Sequence, residues 1–305
     1  MKILVFNFNN VLTKVIEELK KKHTVYVGNE NTDKWKICDV IVVWNEAGDD
    51  WRELIDKAHK KKKKVVYVQH GRYGSSHIYP PFNQKSLADA VCLWGENDKK
   101  RYLECGMPED KLFVTGTDVL KHLKPRKKHS GYNVVYSPEH WAGDTPENFM
   151  VASQLRKMKG VNIITKCLKD ENYLEAYDNV VLSDRAKEDH LGICADVLST
   201  ADCVVCISES TFELMAQILD IPVVMADIWI PKACGGDDRY LTYNRINTNA
   251  SYKEKDLSKL NDAIKYCLRH PHHLKKERRE VALGDGGIDI EDPVGNIVKV
   301  IESFI

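Results

Sequence analysis

The side chain best suited to moving a proton at neutral pH, a histidine, closes an apolar run in Lys64–Gly74, KVVYVQHGRYG. An imidazole changes charge between about pH 5 and 8, so His70 can serve as a general base. Val65, Val66, Tyr67 and Val68 read as a buried strand, bounded by lysines before it and by Gly71 and Gly74 after it. Ligands of parallel α/β sheets sit beyond the carboxyl ends of the strands, which is where Gln69, His70, Gly71 and Arg72 fall. The plain alternative is a histidine hydrogen-bonded to its own loop.

A second concentration of polar chemistry lies in Cys206–Met225, CISESTFELMAQILDIPVVM. A strand ends in Ser208, Glu209, Ser210 and Thr211, and an apolar-periodic helix starts at once. Hydroxyls beside the unbonded N–H groups of a helix N-terminus make an anion site suited to a diphosphate. Glu213 falls in the first turn, where it could accept hydrogen bonds from ribose or sugar hydroxyls. Capping by Ser208 or Ser210 above an acidic first turn accounts for the same residues without a ligand. Two further strand ends are polar: Leu112–Asp118, LFVTGTD, turns at Gly116 and Thr117, and Asn133–Trp141, NVVYSPEHW, stops in Ser137, Glu139 and His140. The loop Gly235–Arg239 offers Asp237 and Asp238, over a ligand or as a surface turn. Cys203 and Cys206 form a C-x-x-C inside a strand-like run, where alternation sends them to opposite faces. No second pair stands at zinc-ligand spacing, so no metal site is expected.

These residues need elements to hold them. Strands are expected at Lys2–Phe6, His23–Val27, Val40–Trp44, Val65–Val68, Ala90–Trp94 and Leu112–Thr115, with helices at Val11–Lys22, Asp49–Lys61 and Glu96–Cys105. After the basic stretch Lys121–Gly131 the alternation restarts with strands at Asn133–Tyr136, Val161–Thr165, Val180–Leu182, Cys203–Ile207 and Pro222–Met225. Helices are expected at Glu147–Lys159, His190–Thr200, Thr211–Leu219, Asp256–Arg269 and His272–Leu283, with Pro293–Ile305 closing the chain. Strand–helix alternation of this kind predicts an α/β protein of two Rossmann-like domains, each on a parallel doubly wound sheet, with an interdomain cleft. The expected division is 1–124 for an acceptor and base domain, 125–131 for a linker, 132–292 for a donor domain and 293–305 for a C-terminal helix.

Composition removes several classes. Lys+Arg and Asp+Glu stand at 45 each, so no global field steers the chain to nucleic acid or a membrane. Lys60–Lys64 and Pro125–Lys128 are the local basic exceptions, the first reading as a solvated helix end. No run reaches the roughly 18 apolar residues of a membrane span. The N-terminus reads as a strand rather than a signal peptide, and nine scattered cysteines fit a reducing, cytoplasmic setting.

In order, QHG after a strand, ADAVCLWGENDKKRYLECGMPEDKLFVTGTD, YSPEHW, SEST and ELMAQILDIPVV resemble the GT-B superfamily. Within it they are similar to the CDP-glycerol glycerophosphotransferases and related surface-carbohydrate transferases, and the UDP-N-acetylglucosamine 2-epimerases share much of the plan. The resemblance covers roughly residues 64–225 and is most specific around Trp94-Gly95-Glu96 and Val114-Thr115-Gly116. It implies a metal-independent transferase without a cofactor, moving a sugar or glycerophosphate from a nucleotide-diphosphate donor to a hydroxyl of a carbohydrate or other acceptor. UDP is expected ahead of CDP, because Gln69 and Arg72 replace the Trp and Thr common around the glycerophosphotransferase HG.

His70 falls on the histidine of the HG motif, implied to be the base, with Gln69, Gly71 and Arg72 flanking the acceptor. Ser208, Ser210 and Thr211 fall on the turn that holds the donor diphosphate, with Glu209 and Glu213 beside it; Arg72 or Lys166 would supply a cation. Gly116 and Thr117 match a small-residue turn facing the cleft, and Ser137 to His140 match a strand end used for donor or acceptor contacts. Met215, seven residues before Pro222, takes the place where many GT-B helices carry an acid, and Glu213 is nine before it. Three alternatives remain: an epimerase-like isomerase drawing on Glu96 and Glu139, a non-catalytic nucleotide-sugar-binding protein, and a phage-type enzyme acting on a DNA base, against which the neutral charge speaks.

Overall fold

A computed structural model of the chain describes residues 1–7, 11–28, 32–44, 46, 49–72, 86–138, 146–168, 174, 177–183, 190–207, 210–228 and 249–304. Two compact units form, one from Met1–Lys121 with Leu283–Ile305 and one from His122–Ala282. In the first, β1 (Lys2–Phe6), β2 (Thr24–Gly28), β3 (Val40–Val43), β4 (Lys64–Val68), β5 (Ala90–Leu93) and β6 (Leu112–Val114) make one sheet in the order β2-β1-β3-β4-β5-β6. Every pairing is parallel. β3 (VIVV) and β5 (AVCL) are buried at every position, as a parallel sheet covered on both faces requires. Among the crossover helices, α1 (Thr13–Lys20) buries Val15, Ile16 and Leu19, and α2 (Asp49–Lys60) buries Trp51, Ile55 and Ala58. α3 (Glu96–Glu104) links β5 to β6.

The second unit repeats the plan with β7 (Tyr132–Ser137), β8 (Val161–Leu168), β9 (Val180–Ser183), β10 (Cys203–Cys206), β11 (Val223–Ala226) and β12 (Tyr252–Glu254), all parallel, in the order β12-β11-β10-β7-β8-β9. Its helices are α4 (Pro146–Leu155), α5 (His190–Ser199), α6 (Thr211–Ile218), α7 (Leu260–Arg269) and α8 (Lys275–Gly284). α8 runs on into the first unit, where α9 (Pro293–Glu302) places Ile297, Val298 and Ile301 in one core with Val15, Ile16 and Leu19 of α1. Each sheet reverses its strand order once, between β1 and β3 and between β7 and β10. These reversals are the switch points at which open α/β sheets receive ligands.

The expected α/β class with two doubly wound parallel sheets is what forms. β12 is the strand the sequence does not announce: Tyr-Lys-Glu has no apolar run, and only its pairing to β11 makes it a strand. The basic run preceding β7 belongs with the second unit. Its charges are matched there by Lys124–Asp196 at 2.8 Å, Arg126–Asp202 at 2.7 Å and Lys127–Asp196 at 3.4 Å.

Candidate functional site

His70 stands two residues beyond β4, half-buried. Its ring packs edge-on to Trp44, just past β3, with centroids 4.8 Å apart at 82°. Trp44 in turn meets Trp51 at 5.6 Å, and Trp51 meets Phe6 at the end of β1 at 5.0 Å. Edge-to-face contacts are the favoured aromatic geometry, and this series ties the carboxyl ends of β4, β3 and β1 together beside the switch point of the first sheet. The strand-end position expected for His70 is therefore the one it takes, and Trp44 is its neighbour there.

The flanking residues have a different role from the one expected. Gln69 is buried and engaged at every polar atom. Its Nε2 donates to Asp98 Oδ2 at 2.7 Å and to the Gly71 carbonyl at 3.0 Å, its Oε1 accepts the Trp94 N–H at 2.8 Å, and its carbonyl accepts the Trp94 indole N–H at 2.9 Å. The Arg72 side chain is only 1% exposed and donates to Asp285 Oδ2 at 3.1 Å. Both side chains fasten the turn that carries His70. Gly71 is part of that turn through its carbonyl.

Asp98 and Asp285 are joined by Arg101, whose NH1 donates to Asp98 at 2.8 Å and whose NH2 donates to Asp285 at 3.1 Å. Two carboxylates and two guanidiniums thus share one interior, and Asn97 adds a bond to Asp285 at 2.8 Å. Burial pushes the Asp98 carboxyl up to about 6, Arg101 pulling it down and the Asp285 charge pushing it further up. Glu96, the acid singled out in the same helix turn, is exposed. Two residues along a helix turn the side chain to the far side, so Asp98 shares the buried face of Tyr102 and Glu96 does not. The close fit also explains the specificity of Trp94-Gly95: a Cβ at Gly95 would collide with the Gly284 carbonyl oxygen, and one at Gly287 (φ +54) with that of Trp94.

Gly116 and Thr117 are structural as well. Gly116 takes φ +76 with its Cα face against Ile290 and Pro293, and Thr117 Oγ1 accepts the Val119 N–H at 3.1 Å, closing the following turn. Glu46, between β3 and α2, is fully buried with Oε1 accepting the Ala88 N–H at 3.0 Å. Burial raises its carboxyl to about 7 against the pull of Ser86, Ala88, Arg52 and Lys111.

In the second unit, the switch point falls between the ends of β7 and β10, where Ser137 pairs in register with Cys206. α6 opens just past β10: Ser210 is its N-cap, with the Oγ accepting the Glu213 N–H at 3.2 Å, and Thr211 is its first residue. Lys166 lies one residue beyond the last β7–β8 pair, Tyr136 with Thr165. Tyr136 and Cys167 lie in the core that contains α4 and α7, so alternation sends Ser137 and Lys166 to the other face. There the Lys166 ammonium sits 5.8 Å from the centroid of Phe212, in the first turn of α6. Lys166 is only 8% exposed and makes no hydrogen bond or ion pair among the described residues. Of the two cations considered, Arg72 is committed to Asp285 and Lys166 is the one at a helix N-terminus.

Glu213 is fully buried, its Oε1 accepting from Gln217 Nε2 at 2.8 Å and from Ser251 Oγ at 2.5 Å, an interior network rather than a surface for ribose. Glu139, His140, Ser208, Glu209, Asp237 and Asp238 lie outside the described residues. Among the described residues no group of three or more His, Cys, Asp or Glu side chains is arranged to hold a metal ion, and no helix is long and apolar enough to cross a membrane.

No family model and no curated protein matches the sequence. Solved structures do match. UDP-GlcNAc 2-epimerase from Neisseria meningitidis bound to UDP-GlcNAc aligns over 99% of this chain and 99% of its own, with a TM-score of 0.63 and 14% identity. MnaA of S. aureus, solved with UDP, aligns over 100% and 97% with a TM-score of 0.65 and 11% identity. The wall teichoic acid polymerase TagF aligns over 99% and 88% with a TM-score of 0.59 and 10% identity. At these identities the likeness is one of fold, and the fold is the GT-B-like pair of α/β domains that transferases and epimerases share.

Proposed function

We propose that the chain is a GT-B-type transferase that takes a nucleotide-diphosphate sugar, or a related glycerophosphate donor, and delivers the group to an acceptor hydroxyl. The observation that carries this reading is Lys166, a largely buried lysine whose ammonium makes no ion pair among the described residues and sits 5.8 Å from the ring of Phe212 in the first turn of α6. Helix N–H groups and a cation together favour a diphosphate and stabilise it further as it leaves with the bonding electron pair. Ser137, Ser210 and Thr211 edge the same switch point and are the donor's hydroxyl contacts in this reading. His70 is the base: it takes the acceptor proton as the acceptor oxygen bonds to the anomeric carbon of a sugar donor and the bond to the nucleoside diphosphate breaks, or, with a glycerophosphate donor, as it bonds to the glycerol-bearing phosphorus and a nucleoside monophosphate leaves. The negative charge is met by the protein's own groups, so the step needs no metal. UDP is the preferred donor nucleotide, in line with the UDP-GlcNAc and UDP bound by two structural neighbours.

A second reading, an epimerase-like isomerase, is favoured by the full-length match to UDP-GlcNAc 2-epimerases. A DNA acceptor is disfavoured, because Lys124, Arg126 and Lys127 are matched by Asp196 and Asp202. The test is a thermal-shift panel of UDP, CDP, GDP and ADP with their sugar conjugates, on the natural chain and on the Ser210→Ala/Thr211→Ala double variant. A rise in Tm with one nucleotide, lost in the variant, supports the donor site and names the base. No shift with any of them refutes it. Incubating the stabilising conjugate in D2O then separates the two enzyme readings, since epimerisation at C2 incorporates deuterium there and transfer does not; a non-catalytic binder gives neither product.

A further inference from the structure

Four consecutive residues, Gln69 to Arg72, leave β4 as a turn; two of them are fastened by groups remote in sequence and a third by the turn itself. Gln69 is held by Asp98 and Trp94, the Gly71 carbonyl is held by the Gln69 side chain, and Arg72 is held by Asp285. The His70 ring packs edge-on to Trp44. Asp285 is 213 positions from Arg72 and 1% exposed, and it accepts from Arg72, Asn97 and Arg101 at 2.8–3.1 Å. A carboxylate taken this far from water is costly unless several donors meet it, and removing one partner from such a group is far more disruptive than at a surface. Its site is also tightly bounded, since neither Gly284 nor Gly287 beside it has room for a Cβ. The segment that carries Asp285 therefore has one seat, and the seat fixes the guanidinium of Arg72.

We propose that Asp285 is a positioning residue for His70, acting through Arg72 to hold the imidazole against Trp44 in the orientation a base requires. This rests on the reading of His70 as the base, and the two can fail separately. Asp285→Asn keeps the volume but turns an amide N–H toward guanidinium N–H groups, so at least one of the bonds is lost. Arg72→Lys keeps the charge and loses the planar fork, while leaving Asp285 with Asn97 and Arg101.

The experiment follows the His70 Cε1–H resonance, assigned by its disappearance in His70→Gln, through a pH titration of each variant. In Asp285→Asn and in Arg72→Lys the resonance is expected to move and its titration midpoint to change by about 0.5 or more in pH. Asp89→Asn is the control: Asp89 holds His59, Lys64 and the Val65 N–H at the start of β4, away from the turn, so this variant loses stability and leaves His70 unmoved. With UDP-N-acetylglucosamine as the donor probe, kcat is expected to fall about 10- to 100-fold in Asp285→Asn with KM within about twofold. In a His70→Ala background the same substitution should cost nothing further. A folded Asp285→Asn whose His70 titration overlays that of the natural chain overturns the proposal. Should that variant not fold, an unmoved His70 in Arg72→Lys does so. Absence of turnover in the natural chain would count against the transferase reading, and the titration would still decide this one.

Discussion

Replacing Lys166 with methionine should make the protein more stable and a poorer binder of nucleotide diphosphate, two effects of opposite sign from one substitution. Methionine keeps the unbranched stem and removes the ammonium. At 8% exposure the side chain has lost most of its contact with water, and it gains in return a ring face 5.8 Å away and no carboxylate among the described residues. Exchanging buried charge for an apolar group of similar volume is stabilising by up to about 4 kcal/mol; about 2 kcal/mol is a central expectation. For a unit spanning 122–282 that raises Tm by about 4–8 °C. The ligand side runs the other way. A charge-assisted hydrogen bond to a phosphate oxygen is worth about 1.5–3 kcal/mol, so the Kd for UDP should rise about 10- to 150-fold. Uridine, without phosphate, should bind the variant and the natural chain alike, and UMP should lie between. Scanning fluorimetry gives the first effect and isothermal titration of uridine, UMP and UDP gives the second. A variant that melts lower, or that keeps its UDP affinity, would show the lysine to be a structural stem and refute the reasoning.

Two other outcomes follow from the first unit. Glu46 has a native carboxyl raised from 4.5 to about 7, so the unfolded chain releases that proton first and stability falls as pH rises from about 4.5 to about 7. The full difference is about 3 kcal/mol; urea unfolding of Glu46→Gln, whose amide oxygen can still accept the Ala88 N–H, should lack that slope, making the variant the more stable protein at pH 8. An unchanged difference between the two across that range would assign the slope to another group. Gly287→Ala combines a left-handed backbone with a Cβ driven into the Trp94 carbonyl oxygen, and it should destabilise by at least about 2 kcal/mol in the same assay. A neutral result would mean that the Asp285 segment can shift without loss.

The sheets were legible because each strand is written locally. VIVV, KVVYV, AVCL and CVVC are short apolar runs that give way to polar or glycine residues within two positions, and a parallel sheet buried on both faces asks for nothing more. His70 was legible for the same reason, since it stands where such a run stops. The meaning of its neighbours was not. Gln69 and Arg72 have the polarity of acceptor ligands, and what makes them fasteners is Asp98, 29 positions on, and Asp285, 213 positions on. Gly116 likewise reads as a ligand-facing turn until Ile290 and Pro293 are found against it. Lys166 carried a local signal: it is the one charge in strand β8, within its buried half between Thr165 and Cys167.

The buried charges of the two units differ in a way that separates their work. In the first, Asp98, Asp285, Arg72 and Arg101 balance one another, and every bond among them is made within the protein. The effect of such a set is to fix geometry, here that of the turn carrying His70. In the second, the Lys166 ammonium lies over Phe212 in the first turn of α6, with a ring face as its partner and no carboxylate among the described residues. In the proposed function, such an ammonium is stabilised further when an anion arrives. Base and anion site thus depend on opposite arrangements of charge, and a donor carrying a diphosphate is the class of molecule that the second arrangement fits.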